Sequence, residues 1–323
     1  MTSCATSDLK YFKLDYLNFT YFKAGSDDLF QDFLDDFPEI ECQTENMIIL
    51  RGGKGLTWGY NNVFAFTDYI TIRYDDRDSS RGLSVSVSAR GLETFFSWFN
   101  TLSGDDTKIS VVFQLLKDRG CRPSRIDLAF DDETKTFTPD QYERWLLEGY
   151  FNTRMKKHGF FCDDKKGYTF YLGSRKKKLI RIYDKNIESD GEIDAVRYEF
   201  ELHDLYAQAM FDQIIEENIP AFGDLILDSF RIINPDSNDR IDRCEMLDEW
   251  ERFLKSTLTQ NFVKVTHYKR YKNIEKLQRW IEKDVMPCLK AYEIFFGRSW
   301  LLHELQNQEL NDKGKRLLID YLI

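Results

Sequence analysis

Two stretches of the chain alternate strictly between polar and apolar residues. One covers residues 125–131 (RIDLAFD) and the other covers residues 196–202 (VRYEFEL). Because successive side chains of a β-strand point to opposite faces, each stretch predicts a strand with one apolar face and one charged face. A charged face on such a strand is either exposed to water or part of a functional site.

The remaining pattern predicts an α+β core followed by helices. Residues 168–172 and 178–183 form a predicted hairpin with a lysine-rich tip, and residues 195–202 form the next strand. We predict an α+β core over residues 1–202, with the site on strands within 122–202, and a helical region over residues 203–323 packed on it. Further strands are predicted at 14–22, 46–50, 63–74, 83–88 and 122–132, and helices at 26–37, 91–100, 107–118, 138–150, 204–217, 244–258, 273–296 and 300–322.

Composition and charge narrow the functional classes. The 323 residues are 42% hydrophobic and 15% aromatic, which is typical of a globular protein. A net charge of −10 repels nucleic acid on average, so a nucleic-acid function requires a local basic surface. The six cysteines include no CxxC pair, which disfavours a zinc site. Since the sequence has no 18-residue apolar run and no signal-peptide pattern, we expect a cytoplasmic protein that does not bind membranes.

A local basic segment lies within this acidic chain. Residues 154–185 contain eleven lysines and arginines against three acidic residues, and Tyr168, Phe170 and Tyr171 lie among them. Cations that contact phosphates, together with aromatic rings that contact bases, are typical of a groove for single-stranded DNA. The alternative interpretation is a lysine-rich hairpin tip that only keeps the protein soluble.

Acidic residues lie on the charged faces of both alternating strands. Asp127 and Asp131 share one strand face, and Glu199 and Glu201 share the other. If the strands are close together, the carboxylates converge, and a cation between them relieves their repulsion. Hard oxygen ligands select Mg²⁺ or Mn²⁺. The alternative is that each carboxylate pairs with Arg125 or Arg197, or faces water.

Four short motifs together resemble one known family. In chain order they are RIDLAFDD (125–132), YLGSRKK (171–177), IRIYDK (180–185) and VRYEFEL (196–202). They resemble the Rep_trans family of rolling-circle replication initiators, which includes plasmid initiators, relaxases of conjugative elements and phage replication proteins. The segments 14–21, 83–96 and 280–300 are also similar to segments of this family.

The resemblance implies a role for each motif residue. Tyr183 would be the nucleophile that becomes linked to a 5′ phosphate, and Lys185 would orient or neutralise that phosphate. Asp127 and Glu199 are the first candidates for metal ligands, and Asp131 and Glu201 are the second. The fold implied is an antiparallel sheet similar to HUH nucleases but without their paired histidines, and the sequence has no HxH pair. The candidate DNA-binding residues are Arg125, Arg175, Lys176, Lys177, Lys178, Arg181 and Arg197.

The function implied is nicking and rejoining of one DNA strand at an origin, as a relaxase-type endonuclease of a plasmid or another mobile element. The expected partners are single-stranded or cruciform origin DNA, a host helicase and a second copy of the chain. Two alternatives remain at this point: an origin-binding regulator without catalysis, and a metal-dependent nuclease that uses water while Tyr183 is structural.

Overall fold

A computed structural model describes most of the chain. The described residues are 12–46, 48–49, 59–67, 69–103, 108–163, 167–189, 191–217, 219, 221–257, 283 and 285–307. Parts of the predicted strand 46–50 and of the predicted helices 273–296 and 300–322 lie outside these residues. The chain divides into two compact units, Met1–Val265 and Thr266–Ile323. The predicted boundary at residue 202 falls inside the first unit, and the division at that residue stays a prediction.

A large antiparallel sheet forms the first unit. Its strands lie in the order β2-β3-β4-β5-β1-β6-β11-β10-β9-β8, and every neighbouring pair is antiparallel. A second, two-stranded sheet pairs β7 with β12. The predicted antiparallel α+β fold is therefore confirmed. The strands are β1 (Lys13–Tyr21), β2 (Ile48–Ile49), β3 (Asn62–Thr67), β4 (Ile70–Tyr74), β5 (Leu83–Ser88), β6 (Cys121–Asp132), β7 (Phe151–Thr153), β8 (His158–Asp163), β9 (Gly167–Ser174), β10 (Lys178–Asp184), β11 (Val196–His203) and β12 (Phe230–Ile232).

Helices α1 and α5 begin where the sequence provides a start signal. Asp28 accepts a hydrogen bond from the backbone N–H of Gln31 at 3.1 Å and so satisfies a free donor in the first turn of α1. Pro139 occupies the first turn of α5, where its missing N–H costs nothing. The helices of the first unit are α1 (Leu29–Asp36), α2 (Pro38–Glu41), α3 (Ala89–Ser103), α4 (Ile109–Asp118), α5 (Pro139–Leu147), α6 (Lys185–Glu188), α7 (Leu205–Ile215), α8 (Phe222–Ser229) and α9 (Asp248–Thr257).

The predicted strand 63–74 is two strands in the structure. The chain reverses between β3 and β4, and Ile70 pairs with Thr67 across the turn. The signal of this turn in the sequence is only the polar pair Thr67-Asp68, without glycine or proline, and the prediction of one strand passed over it. Elements that the pattern did not predict include α2, β7, β8, α6, α8 and β12.

Helices cover one face of the large sheet. The ring of Phe95 in α3 packs on that of Phe19 in β1, with centroids 6.0 Å apart. The helices α4 and α7 contact β6 beside it. The opposite face carries polar side chains among the described strands: Asn18 of β1 donates hydrogen bonds to Ser84 and Ser86 of β5 at 3.2 and 2.7 Å. The sheet therefore has one apolar face under helices and one polar face.

Phe222 of α8 lies at the centre of the aromatic core. Its ring centroid lies 4.0 Å from that of Phe130, 5.0 Å from that of Tyr198 and 6.0 Å from that of Phe253. The hydroxyl of Tyr198 forms a hydrogen bond of 2.7 Å with the hydroxyl of Tyr142, which satisfies both buried polar groups. This core fixes the apolar faces of β6 and β11, and so it fixes where their charged faces point.

The described part of the second unit contains α10 (Met286–Phe296) and α11 (Arg298–Asn307). Pro287 lies in the first turn of α10, and Gly297 separates the two helices with a φ of +87°, which an L-residue rarely adopts. Across the residues described in both units, none of the helices has the length and apolar character needed to cross a membrane.

Phe222→Ala should destabilise the first unit by about 3–5 kcal/mol, because it removes a fully buried ring and leaves a cavity. Urea unfolding measures this loss. Leu147→Ala is the control, since Leu147 is 74% exposed and its truncation should change stability by about 0.5 kcal/mol or less. Equal effects of the two substitutions would contradict the position of Phe222 in the core.

Candidate active site

The polar face brings the two predicted charged strands together. Strands β6 and β11 are neighbours, and Glu201 lies directly opposite Asp127 while Arg197 lies directly opposite Asp131. Glu199 lies opposite Ala129, between these two pairs. Directly opposed residues of antiparallel strands point to the same face, so the predicted carboxylates share one surface.

Strand β10 adds the predicted nucleophile to this surface. Tyr183 lies opposite Arg197, and Arg181 lies opposite Glu199. The Tyr183 hydroxyl donates a hydrogen bond to Oε2 of Glu199 at 3.2 Å. The ring is 9% exposed and lines a cavity of about 630 Å³, together with Arg181, Lys185, Arg197 and Glu199. The phenol is therefore both next to an acidic residue and at a cavity wall.

Burial perturbs the ionisation of both members of this hydrogen bond. It raises the pKa of the Tyr183 phenol above its usual range, and the negative charge of Glu199 adds to this effect. Glu199 is 2% exposed, and burial raises the pKa of its carboxyl to about 7 against the opposing charge of Arg181. Arg181 also forms a close ion pair with Oε1 of Glu199. The Tyr183 phenol and the Glu199 carboxyl are therefore in contact in a buried place where both hold their protons more tightly than in water.

Asp127 and Glu201 share a second arginine. Arg125 donates to the two oxygens of Asp127 at 2.8 and 2.5 Å, and its Nη2 lies 3.2 Å from Oε2 of Glu201. His203 forms a hydrogen bond of 2.8 Å with Oε1 of Glu201. Burial raises the pKa of the Asp127 carboxyl despite Arg125. For Glu201, burial is outweighed by His203 and Arg125, which lower its pKa.

Asp131 belongs to a separate ion-pair network. Arg197 donates to its two oxygens at 2.5 and 2.8 Å, and Lys13 contacts Oδ2 at 3.1 Å. These contacts outweigh burial and lower the pKa of the Asp131 carboxyl. Arg197 also contacts Asp15 at 3.2 Å. Asp127 thus pairs with Arg125, and Asp131 pairs with Arg197. From the sequence, this pairing was the alternative to metal binding by the same carboxylates.

The fit of a divalent cation depends on the charge balance near Glu199. Three buried carboxylates, Asp127, Glu199 and Glu201, face two guanidinium groups, Arg125 and Arg181. Burial is the largest cause of the raised pKa values of Asp127 and Glu199, and the neighbouring carboxylates Glu201, Asp15 and Asp127 add to it, so a further cation beside these groups would favour their ionised forms. Oxygen donors with excess negative charge fit Mg²⁺ or Mn²⁺ chemically.

The arrangement of the same side chains is nevertheless one of ion pairs. Within the described residues, no three His, Cys, Asp or Glu side chains are arranged so that they could hold a metal ion. Arg125 and Arg181 occupy the carboxylate oxygens instead. The donor set therefore fits a divalent cation if these guanidinium groups move to another anion.

The predicted basic residues separate into two groups by position. Lys185 begins α6, pairs with Glu188 and lies with its Nζ 5.9 Å from the ring centroid of Tyr183. Arg175 is 72% exposed at the tip of the β9–β10 hairpin, where its Nε lies 3.5 Å from Oε1 of Glu201. The tip residues Lys176 and Lys177 are exposed as well. These cations lie at or near the polar face.

Lys178 lies on the other side of the sheet. Its Nζ contacts Oδ2 of Asp228 at 3.0 Å and Oγ of Ser229 at 2.9 Å, both at the end of α8. The structure therefore places this predicted DNA-binding residue with the helices and apart from Tyr183.

Two residues of the site were not predicted from the sequence. Asp15 and Lys13 of β1 line the same cavity as Tyr183 and connect to its surroundings through Arg197 and Asp131. The pairing of β1 with β6 shifts register at Asp15, which places this carboxylate outside the regular alternation. Its only sequence signal is an acidic residue within the otherwise aromatic stretch LDYLNF.

Glu199→Gln should remove part of the pH dependence of folding stability. The carboxyl binds its proton more tightly in the folded chain than in the unfolded chain, where the usual pKa applies. The contribution of Glu199 to the free energy of unfolding of the wild type therefore falls as pH rises from about 4.5 to about 7, by about 3 kcal/mol at most. Urea unfolding at several pH values measures this slope.

Glu148→Gln is the control for this slope, because Glu148 is exposed at the end of α5. It should keep the wild-type slope between pH 5 and pH 7, whereas Glu199→Gln should be flatter. If the wild type and Glu199→Gln show the same slope, the buried carboxyl does not have the raised pKa.

Comparison with known proteins agrees with this geometry. The family model for replication initiation factors, Rep_trans, matches residues 122–305, which is more than half of the chain. The fold is similar to that of a rolling circle replication initiator protein from Geobacillus stearothermophilus, with a TM-score of 0.59 and 20% identity over 76% of this chain and 96% of that chain. The comparison with curated proteins finds no match. All the predicted site residues on β6, β10 and β11 lie within the matched range. Because the match covers more than half of the chain, the chain belongs to the replication initiation factor family.

Proposed function

We propose that this initiator nicks and rejoins one strand of origin DNA through a covalent phosphotyrosine at Tyr183. The observation that carries the proposal is the hydrogen bond from the Tyr183 hydroxyl to Glu199 at the wall of a cavity on the polar face. Membership of a replication initiation family supports the DNA substrate and the initiation role. A tyrosine in the apolar core would have no such neighbour and no access to a polynucleotide.

Glu199 is the proposed general base for the phenol. A phenol with a raised pKa is protonated at neutral pH and must lose its proton as it attacks phosphorus. Oε2 of Glu199 is within hydrogen-bond reach of that proton. Since the pKa of Glu199 is about 7, this carboxyl is ionised in much of the population at neutral pH and can accept the proton.

The proposed reaction is a transesterification. The Tyr183 oxygen forms a bond to phosphorus, the bond from phosphorus to the 3′ oxygen breaks, and the phenolic proton passes to Glu199. The 3′ oxygen leaves on the side of phosphorus opposite the attacking oxygen and takes a proton from water. The phosphotyrosine keeps a phosphodiester bond of similar energy, so the reverse reaction rejoins the strand without ATP, and the free 3′ hydroxyl can prime a polymerase.

The cations at the cavity wall position the phosphate in this proposal. Arg181, Lys185 and Arg197 line the cavity together with Tyr183. A phosphate at Tyr183 would offer Arg181 a second anion beside Glu199, and guanidinium groups bind phosphate oxygens in a bidentate manner. Arg197 is held in place by Asp131 and Asp15, so it contributes a fixed positive charge.

We further propose a divalent cation, Mg²⁺ or Mn²⁺, held by Asp127, Glu199 and Glu201. When bound, it would supply positive charge to a phosphate oxygen and to the leaving oxygen. Oε1 of Glu199, which now pairs with Arg181, would be free for it once Arg181 contacts phosphate. Asp131 is the weakest candidate among the predicted ligands, because Arg197 and Lys13 already hold its oxygens.

The setting that we propose is the cytoplasm of a cell that carries a plasmid or another mobile element. The substrate would be an origin whose nick site is single-stranded or extruded as a cruciform. A host helicase and a second copy of the chain are the further partners expected from this role.

Tyr183→Phe should abolish the covalent adduct and reduce nicking about 1,000-fold or more, because the ring keeps its packing but loses the attacking oxygen. Supercoiled DNA of the element, incubated with Mn²⁺ and run on a denaturing gel, shows the DNA-linked protein. Tyr74→Phe is the control on the distant strand β4 and should nick like the wild type.

Nicking by Tyr183→Phe at the wild-type rate would exclude this tyrosine as nucleophile. Free 5′ ends in the wild type without a DNA-linked protein would indicate hydrolysis by water, and absence of any cleavage would indicate a DNA-binding regulator.

Asp127→Asn and Glu199→Gln should each weaken Mn²⁺ binding by about tenfold or more, since each replaces a carboxylate oxygen with a weaker neutral donor. Titration of free Mn²⁺ by electron paramagnetic resonance measures the affinity without reference to activity. A single-stranded oligonucleotide is present so that Arg181 can contact phosphate, and the oligonucleotide alone is the blank. Asp131→Asn should stay within about threefold of the wild type. Wild-type affinity in both Asp127→Asn and Glu199→Gln would rule out this metal site.

A further inference from the structure

One row of residues continues from the candidate active site to the edge of the sheet. Tyr183 of β10 lies opposite Thr169 of β9, and Thr169 lies opposite Phe161 of the edge strand β8. Opposed residues of antiparallel strands point to the same face, so Phe161 lies on the polar face with Tyr183. Two strand spacings, about 10 Å, separate the two positions.

A second, parallel row runs beside the first. Arg181 lies opposite Tyr171 of β9, and Tyr171 lies opposite Gly159 of β8. A Cβ added at Gly159 would meet no atom within 4 Å, so the space above this residue is open. Glycine in a strand without a packing requirement is typical of a place where another molecule approaches the backbone.

The exposed ring of Phe161 does not contribute to the packing of the core. Its neighbour Phe160 points to the other face and packs on the buried Phe170, with ring centroids 5.8 Å apart. Phe161 points away from the helices and is 46% exposed. Phe160 is itself 37% exposed, so the two adjacent phenylalanines differ in the face on which they lie: one ring packs on Phe170 on the apolar face, and the other lies on the polar face.

Exposed cations border this part of the face. Lys156 and Lys157 directly precede β8, and Arg175, Lys176 and Lys177 form the tip of the adjacent hairpin β9–β10. A protein with a net charge of −10 thus has an edge with positive charge beside the exposed ring of Phe161 and the half-buried ring of Tyr171. This combination favours a polyanion with flat apolar groups over an apolar peptide or a membrane.

We propose that Phe161 and Tyr171 form a stacking platform for the bases of a single strand of DNA next to the nick site. The proposal rests on the proposed function for the position of the phosphate at Tyr183. Phe161 contacts one base at the sheet edge, and the open space at Gly159 admits another base against Tyr171. The strand must be unpaired, because the faces of paired bases are hidden in the duplex stack.

Fluorescence anisotropy with a labelled oligothymidylate tests the platform directly. Phe161→Ala should weaken binding about 5- to 150-fold, which is the range for loss of one base-aromatic stack, and Phe161→Trp should restore it. The matched control is Phe160→Ala, the same residue type one position earlier on the other face, which should bind like the wild type. The salt dependence of binding should not change in Phe161→Ala, because no phosphate contact is lost.

Gly159→Val separates this role from an effect on folding. The φ of Gly159 lies outside the range from +20° to +160°, so an L-residue fits its backbone. Because valine also favours a strand, the variant should be at least as stable as the wild type in urea unfolding. Its side chain fills the space beside Tyr171 and should weaken oligothymidylate binding about fivefold or more.

The platform is wrong if Phe161→Ala and Gly159→Val both bind like the wild type, if Phe160→Ala weakens binding as much as Phe161→Ala, or if the wild type does not bind oligothymidylate. None of these measurements involves cleavage. A failure of the platform therefore leaves the nucleophile Tyr183 untouched, and failure of the nucleophile in the nicking assay leaves the platform untouched.

Discussion

Glu199 is a carboxylate with 2% exposure that accepts contacts from both Arg181 and Tyr183. Burial of a charged group is unfavourable unless it is paired, and the contact with Arg181 supplies that pairing. Burial nevertheless raises the pKa of Glu199 to about 7, in the range where a base can exchange a proton under physiological conditions. The position of Tyr183, the charge of Arg181 and the proposed cation all depend on this one carboxyl group.

The two-sided sheet is what makes this burial possible. Helices cover the apolar face and fix β6, β10 and β11 side by side through the aromatic core around Phe222. The charged residues then share the other face, where their partners lie on neighbouring strands. Because each carboxylate has an arginine partner, removal of one member would leave the other buried and unpaired, which is more costly than the pair is stabilising.

The sequence predicted the faces of the strands better than their partners. Alternation in β6 and β11 placed the apolar and charged residues correctly, because a side-chain period of two is local information. The same period of two puts Lys178 on the apolar face with Ile180 and Ile182, and it puts Phe170 and Tyr171 on opposite faces. The positions of Lys178 and Phe170 away from the charged face were therefore already contained in the pattern. The strand β8 (HGFFCD) has no alternation, and Phe161 on it was missed for that reason. Asp15 was missed because an irregularity in register cannot be seen before the partner strand is known.

The most direct test of the central claim is the pH dependence of the single-turnover nicking rate. If Glu199 accepts the proton of Tyr183, the rate should rise with pH to a plateau, since only the ionised carboxylate acts as base. The midpoint should lie at or below the pKa of about 7, because a cation bound beside Glu199 lowers that pKa. Glu199→Gln should nick at least about 100-fold more slowly and without this rise. A wild-type rate that does not change between pH 5 and pH 8, or a Glu199→Gln variant with the wild-type profile, would contradict the account.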